Sequence, residues 1–297
     1  MQDVIHALFF IAAFGALFIG IMVAENLYAR SKGRTIYRMK ETIANLATGA
    51  SYKIVDGIAI ALFIQTFYLW VYDYGFQWNP ELSWWSVLAL ILFIDLCFFV
   101  AHILMHKVRW FWNVHVTHHS SEHMNFSTAL RQNFTFALSG TWLVWWIPAA
   151  IVGFDKDWVL IAIEGNLVYQ FFLHTEQVGR LGWLEKIFNT PSHHRVHHGS
   201  NPEQIDRNFG GIFIFWDYLA GTFTDEKDAG VIKYGVSRMP EQPFNPWHLQ
   251  VHDWIAMFRD VWRYKDLRIM VKHPDWVLEK YGDQMAQQNL NRQAEQS

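Results

Sequence analysis

Apolar runs separated by short polar stretches fill the chain as far as Phe172. Five of them, Ile5–Ala24, Ile54–Val71, Trp84–Leu104, Phe134–Gly153 and Trp158–Phe172, approach or reach the ~20 apolar residues needed to cross a bilayer as a helix. Each predicts a membrane span. The second carries Asp56 and Gln65, and the fifth carries Glu164 and Asn166. A spanning helix turns such groups toward the bundle interior or a cavity, so these two are the least regular of the five. Beyond Leu181 the pattern becomes mixed polar and aromatic, with turn glycines at 210, 211, 221 and 230. Phe213–Tyr218 and Trp254–Trp262 alternate aromatics with charge and predict a cap over 181–283 resting on lipid headgroups. Residues 284–297 are polar and predict a flexible tail. The expected fold is an all-α integral membrane protein, four to five spans plus a cytosolic helical cap, organised as one unit over residues 1–283.

Composition strengthens the membrane reading. Of 297 residues, 52% are hydrophobic and 17% aromatic, while only 17% are charged, against ~25% charge in soluble domains. The net charge of −3 offers nothing to nucleic acid. Cys97, the single cysteine, rules out a disulfide framework and any Cys-rich cluster. The first apolar run is preceded by Asp3, and Met22 stands where a cleavage site needs a small residue. It is therefore expected to stay as a helix.

Basic residues set the orientation. Arg30, Lys32, Arg34, Arg38 and Lys40 follow the first run, whereas 73–83 contain no Lys or Arg. With five spans, all but Lys156 of the 24 basic residues lie on or beside one side, which predicts a cytosolic C-terminal part and an external N-terminus. The localisation expected from this is a bacterial inner membrane with the site facing the cytosol.

Histidines fall in three boxes: His102 and His106 in HILMH, His115, His118 and His119 in HVTHH, and His194, His197 and His198 in HRVHH. Residues three and four apart share a helix face, and adjacent ones point ~100° apart. Each HxxHH box can therefore serve two neighbouring metals. Neutral imidazole is the commonest metal-ligating side chain, and eight are too many for one tetrahedral ion. All three boxes fall on the predicted cytosolic side. His174, at the cytosolic end of the fifth run, is a further candidate, and His193 can either ligate or donate a hydrogen bond. Ligating imidazoles give their other N–H to a carboxylate or carbonyl. Candidate partners are Asp95, Glu122, Glu176, Asp206 and Asp217, with Arg131 and Asn133 able to orient the second box.

This series, together with His118–Asn133, Phe171–Glu185 and Phe188–Phe223, resembles the fatty acid hydroxylase or sterol desaturase superfamily, with the longer strings closest to its alkylglycerol monooxygenase-like branch and related bacterial proteins. The resemblance covers about residues 85–225. It implies two iron ions held by His102, His106, His115, His118, His119, His174, His194, His197 and His198, with His193 a candidate tenth. It also implies insertion of oxygen into a lipid C–H bond, at the ether carbon in the alkylglycerol branch. An external reductant is implied too: tetrahydrobiopterin, a b-type cytochrome or ferredoxin. The branch carries Glu directly after the first box, where this chain has Lys107.

Other chemistries fit less well. A zinc hydrolase needs one metal, and no Glu-x-x-His motif of a carboxylate-bridged di-iron bundle occurs. The lack of a Gly-x-Gly-x-x-Gly fingerprint leaves electrons to come from another molecule. Desaturation or hydroxylation of sterols, carotenoids or acyl chains by the same centre stays open. So does a non-enzymatic metal transporter or sensor, although transporters hold ligands near the bilayer midplane.

Overall fold

The computed structural model describes residues 2–78 and 80–285, with side chains from residue 15 onward. From residue 286 on, the expected tail lies outside the described residues. All regular structure among the described residues is helical, apart from two isolated bridges, Phe188 with Phe213 and Gly199 with Tyr234.

Helix α1 is Gln2–Ser31, enclosing the first apolar run. Helices α2 (Met39–Ala59) and α3 (Gln65–Tyr74) join through a π-helical turn, Ile60–Ile64, into one 36-residue rod. The rod begins about three turns before the polar Ser51–Lys53 stretch and therefore carries polar sequence ahead of the second apolar run. Helix α4 (Trp84–Lys107) starts on a Ser83–Ser86 capping box, in which the two residues satisfy each other's free backbone N–H groups. The rod and α4 are both long and apolar enough to cross a membrane.

The fourth expected span is broken. Asn133 caps a short 3₁₀ turn at Phe134–Phe136, Gly140 sits at φ 78°, and only Leu143–Val152 forms a helix, α7. Its 10 residues rise ~15 Å, half a bilayer core. An apolar run cannot by itself distinguish a helix from turns that pack against a bundle. Helix α8 (Lys156–Phe171) begins on the Asp155 N-cap. Its polar residues have partners: Glu164 pairs with Lys53 at 2.9 Å, and Asn166 donates to Asp95 at 2.8 Å.

The bundle core holds Ile64, Tyr68, Ile94, Phe98, Trp145, Trp146, Val159 and Ile163. At the end far from the histidines, the N–H groups of Phe76 and Trp78 donate to the carbonyls of Ile151 (2.7 Å) and Val152 (3.1 Å). Gly153 closes that corner at φ 102°, where an added Cβ would collide with the backbone of Gln77 and Trp78. At the opposite end lie α5 (Arg109–His119), α6 (Phe126–Ala129), α9 (Pro191–His197), α10 (Phe215–Ala220) and α11 (Pro246–Tyr264).

Candidate metal centre

One extended residue, Val108, separates α4 from α5 and turns the chain sharply, so the first box faces the second. Helix α9 carries the third box; Thr190 is its N-cap and Pro191 pre-sets its first turn. His174 follows the last turn of α8. Together these elements bring nine buried histidines into two groups. His102, His106, His115, His119 and His197 form one, and His118, His174, His194 and His198 form the other; within each group the candidate ligand atoms lie within 4.8 Å of one another.

The boxes are shared in a reciprocal way. HVTHH gives its i, i+4 pair, His115 and His119, to the first group and its middle residue, His118, to the second. HRVHH gives His194 and His198 to the second and His197 to the first. The groups touch: the His119 and His198 rings stack at 4.5 Å and 21°.

Hydrogen bonding tests whether these residues fit a metal. A carbonyl can only accept, so a ring nitrogen bonded to one must carry the proton. His102 Nδ1 meets Phe209 O at 2.8 Å, His118 Nδ1 meets Arg131 O at 3.2 Å, His174 Nδ1 meets Gln170 O at 2.8 Å, and His197 Nδ1 meets Arg207 O at 2.8 Å. Their Nε2 atoms are then bare lone pairs. Yet His118 Nε2 and His174 Nε2 face each other at 3.0 Å. Two lone pairs at that distance repel unless a cation lies between them. The other Nε2 contacts, His102–His115, His119–His115, His194–His174 and His198–His194, span 2.9 to 3.1 Å. Two nitrogens each ~2.1 Å from one ion and at right angles lie ~3.0 Å apart. His106 Nε2 and His197 Nε2 are buried with no partner among the described residues. The donor set fits two metal ions.

Burial keeps the imidazoles neutral, as metal ligands must be. It holds His115, His118, His119, His194, His197 and His198 well below the ordinary histidine pKa and pushes His174 down to about 4. Below about pH 6.5 the unfolded chain binds protons that the folded chain refuses, so stability falls as pH falls, by up to ~1.4 kcal/mol per pH unit for each such histidine. The metal-free protein should therefore melt progressively lower between pH 7.5 and 5.5, as measured by a thermal scan in detergent. A melting point flat across that range would contradict neutral buried imidazoles.

The loop that orients His102 and His197 is clamped from both sides. Asp217 accepts from Phe209 N and Gly210 N, both at 2.8 Å, and from Thr222 Oγ1 at 2.6 Å. Burial lifts its pKa to about 6 against these bonds. Asp95, fully buried on α4, accepts from Ile212 N (2.6 Å), Phe213 N (3.1 Å), Trp216 Nε1 (3.0 Å) and Asn166 Nδ2 (2.8 Å). It therefore holds the loop and not an imidazole. Asn208 takes φ 54°, a left-handed conformation that asparagine tolerates, and this lets Arg207 and Phe209 aim their carbonyls at separate histidines. Its side chain donates to His193 O and Thr224 O.

The remaining candidates sort clearly. Asp206 lies 3.4 Å from His106 Nδ1 and 3.3 Å from His273 Nε2, and it pairs with Lys107. Burial alone would raise its pKa; hydrogen bonds from His106, His273 and Lys107 outweigh that and hold it far below the usual carboxylate range. Arg131 is buried and binds Thr117 O, Ser120 Oγ, Asn45 Oδ1 and Pro243 O, tying off the C-terminus of α5. Asn133 donates to Thr117 Oγ1 and Gln250 O. His193 lies in neither group and packs its ring on Phe223. Glu122 is exposed and Glu176 half-buried, and neither carboxylate bonds a grouped imidazole among the described residues. The carboxylate active near the second box is Glu41, which accepts from Ser121 Oγ, Glu122 N and His123 Nδ1. Also missed by sequence reasoning is Arg195, inside the third box, which binds both oxygens of Glu226 and the carbonyls of Thr175 and Val178. It fastens α9 to the segment bearing His174.

Of two cavities, the first borders the centre and the second lies along the helices. One, of about 150 Å³, is bordered by His106, His119 and His197 together with Arg109, Trp112 and His273. The other, about 620 Å³ and mostly apolar, runs between α4 and α8 from Leu82 and Val87 to Asn166, Tyr169 and Ile212.

Comparison with known proteins adds the family. Residues 87–222, a stretch holding all nine grouped histidines, match the family described as Fatty acid hydroxylase. The chain carries a fatty acid hydroxylase family domain. It is homologous to the alkylglycerol monooxygenases of Xenopus tropicalis, at 34% identity over 82% of this chain and 54% of the relative, and of Homo sapiens, at 31% over 87% and 58%. Ornithine lipid hydroxylase OlsE of Rhizobium tropici is 25% identical over 77% of this chain and 72% of that protein. The chain spans about half the length of the curated alkylglycerol monooxygenases it matches. No solved structure matches.

Proposed function

We propose that the protein is a membrane-bound, non-haem di-iron oxygenase that hydroxylates a lipid C–H bond. The observation that carries this reading is the pair of adjacent imidazole groups with lone pairs converging at 2.9–3.1 Å. Bound iron would supply the activation of O2. The overall change, R–H + O2 + 2e⁻ + 2H⁺ → R–OH + H2O, needs two electrons from outside, from a tetrahydropterin, a b-type cytochrome or a ferredoxin.

The chain's own residues do the rest. Phe209 O, Arg131 O, Gln170 O and Arg207 O keep four ligands in one tautomer, and Asp206 faces His106 Nδ1. The apolar groove between α4 and α8 is suited to a lipid chain, while the smaller cavity borders the first histidine group. With three boxes and His174 at one end of the helices, and basic residues concentrated there, the site faces the cytosol and the N-terminus lies outside. In this reading α7 and its preceding turns, with α8, complete the membrane part. A bacterial inner membrane is the setting we propose.

An ether lipid is the first substrate to test, because alkylglycerol monooxygenases match 73–88% of the chain. A second reading, hydroxylation of another membrane lipid, is supported by Lys107 in place of the branch's Glu and by the match to an ornithine lipid hydroxylase. Lipid mass spectrometry on cells expressing the chain against cells expressing His197→Ala separates the two. Loss of ether lipid with gain of fatty aldehyde supports the first, and gain of one oxygen on another lipid supports the second. Loss of two hydrogens would replace hydroxylation by desaturation. No difference, with substrate and reductant supplied, would end the enzymatic reading.

Lys107→Glu removes the cation paired with Asp206 and sets a like charge against it, which disturbs its place beside His106. Outer partners of metal ligands are worth 10- to 100-fold, so turnover should drop about 10-fold with every electron donor. Unchanged turnover would show that the Lys107–Asp206 pair does not hold His106.

A further inference from the structure

Helix α11 turns an apolar stripe outward. Trp247, Val251, Ile255, Phe258 and Trp262 recur every three or four residues, and four of them are 49–74% exposed. The opposite face, with Leu249, Gln250 and Met257, is buried. One position further round from the stripe runs a basic row, His248, His252, Arg259 and Arg263. The acids nearest the two arginines in sequence, Asp260 and Asp266, are engaged by Arg109 and Arg268. A 19-residue helix, ~28 Å long, with aromatics on one face and arginines along its edge has the composition of a helix lying in a membrane interface. Arginines there reach for phosphates while their stems stay with the apolar face.

The stripe continues the membrane-facing surface. Trp247 stacks on Phe134 at 5.8 Å and 19°, and Trp254 Nε1 donates to Thr135 Oγ1 at 3.0 Å. The same segment carries Leu138, 65% exposed, and leads into α7. The buried face is bonded to the helix bearing the second box: Thr117 Oγ1 donates to Leu249 O at 2.8 Å, and Asn113 Nδ2 meets Met257 Sδ at 3.2 Å.

We propose that Pro246–Tyr264 lies in the plane of the cytosolic membrane surface, with its aromatic stripe in the headgroup–acyl boundary and Arg259 and Arg263 on lipid phosphates, and that it thereby sets the depth of α5 and its histidines. The partner is the lipid surface, whichever lipid is oxidised.

A nitroxide scan of residues 255–263 in the full, iron-loaded chain tests this, in a Cys97→Ser background and in nanodiscs of phosphatidylcholine with phosphatidylglycerol. Iron content equal to the parent's certifies the fold of each labelled chain. Collision with O2 should peak at 255, 258 and 262, where collision with a water-soluble nickel complex is lowest, and the order should reverse at 259 and 263. If both agents peak together at 258 and 262, the stripe faces water. If both are excluded there, another protein surface covers it. Either result overturns the inference. The inference rests on the membrane reading: a chain washed from membranes by carbonate would end that reading, whereas a retained chain with a wet stripe would end this one alone.

Discussion

Replacing His197 with alanine should abolish the proposed lipid oxidation while the chain stays in the membrane. His197 reaches across from the third box to the first group, and its ring lies 4.4 Å from that of His102, 4.9 Å from His106 and 4.7 Å from His119. Its proton is committed to Arg207 O, which leaves Nε2 with no partner but a metal. Outer partners of ligands already cost 10- to 100-fold when lost. Loss of the ligand itself should cost more than ~100-fold, as read by product formation per unit of membrane-bound protein. Insertion depends on apolar helices that the substitution does not touch. Full turnover by His197→Ala would refute the site.

Asp95→Ala should be the most destabilising single change in the bundle. It strands four donors, Asn166 Nδ2 buried and Ile212 N, Phe213 N and Trp216 Nε1 part-buried. Each stranded group costs ~1–3 kcal/mol, so the total is on the order of 4 kcal/mol or more, a range reached only when a buried network breaks. The loop released is the one whose carbonyls orient His102 and His197, so iron content should fall together with the melting point. Asp95→Asn keeps one acceptor oxygen and should fall between the two. An alanine variant that melts with the parent would show that the loop is held by something else.

The histidine centre was largely legible because its chemistry is written in local spacing. Positions three and four apart on a helix must share a face, and His174 was placed by the end of an apolar run. The division of each box between two groups was not legible: the spacing permits it, but the facing helices decide which residue goes where. Outer partners were harder still. Asp95 shares a helix face with His102, which suggested an imidazole partner, whereas its ligands come from residues 166 and 212–216, far away in sequence. Glu122 adjoins the second box in sequence and points away, while Glu41, distant in sequence, reaches in from the first turn of α2. Asn208 acts through its backbone conformation, which composition does not display. The membrane pattern disclosed the long rods but overread 134–153, where apolar residues pack as turns against the bundle and only 10 residues form a helix.

The most direct test of the central claim is elemental analysis of the purified full chain expressed with iron, alongside Mössbauer spectroscopy of the same sample. Two iron ions per chain with nitrogen-rich ligation are expected, and His198→Ala, which alters the second group, should lower the count while leaving the protein folded. One ion per chain, a metal other than iron after iron-replete expression, or a count indifferent to His198→Ala would contradict a di-iron centre built from these nine histidines.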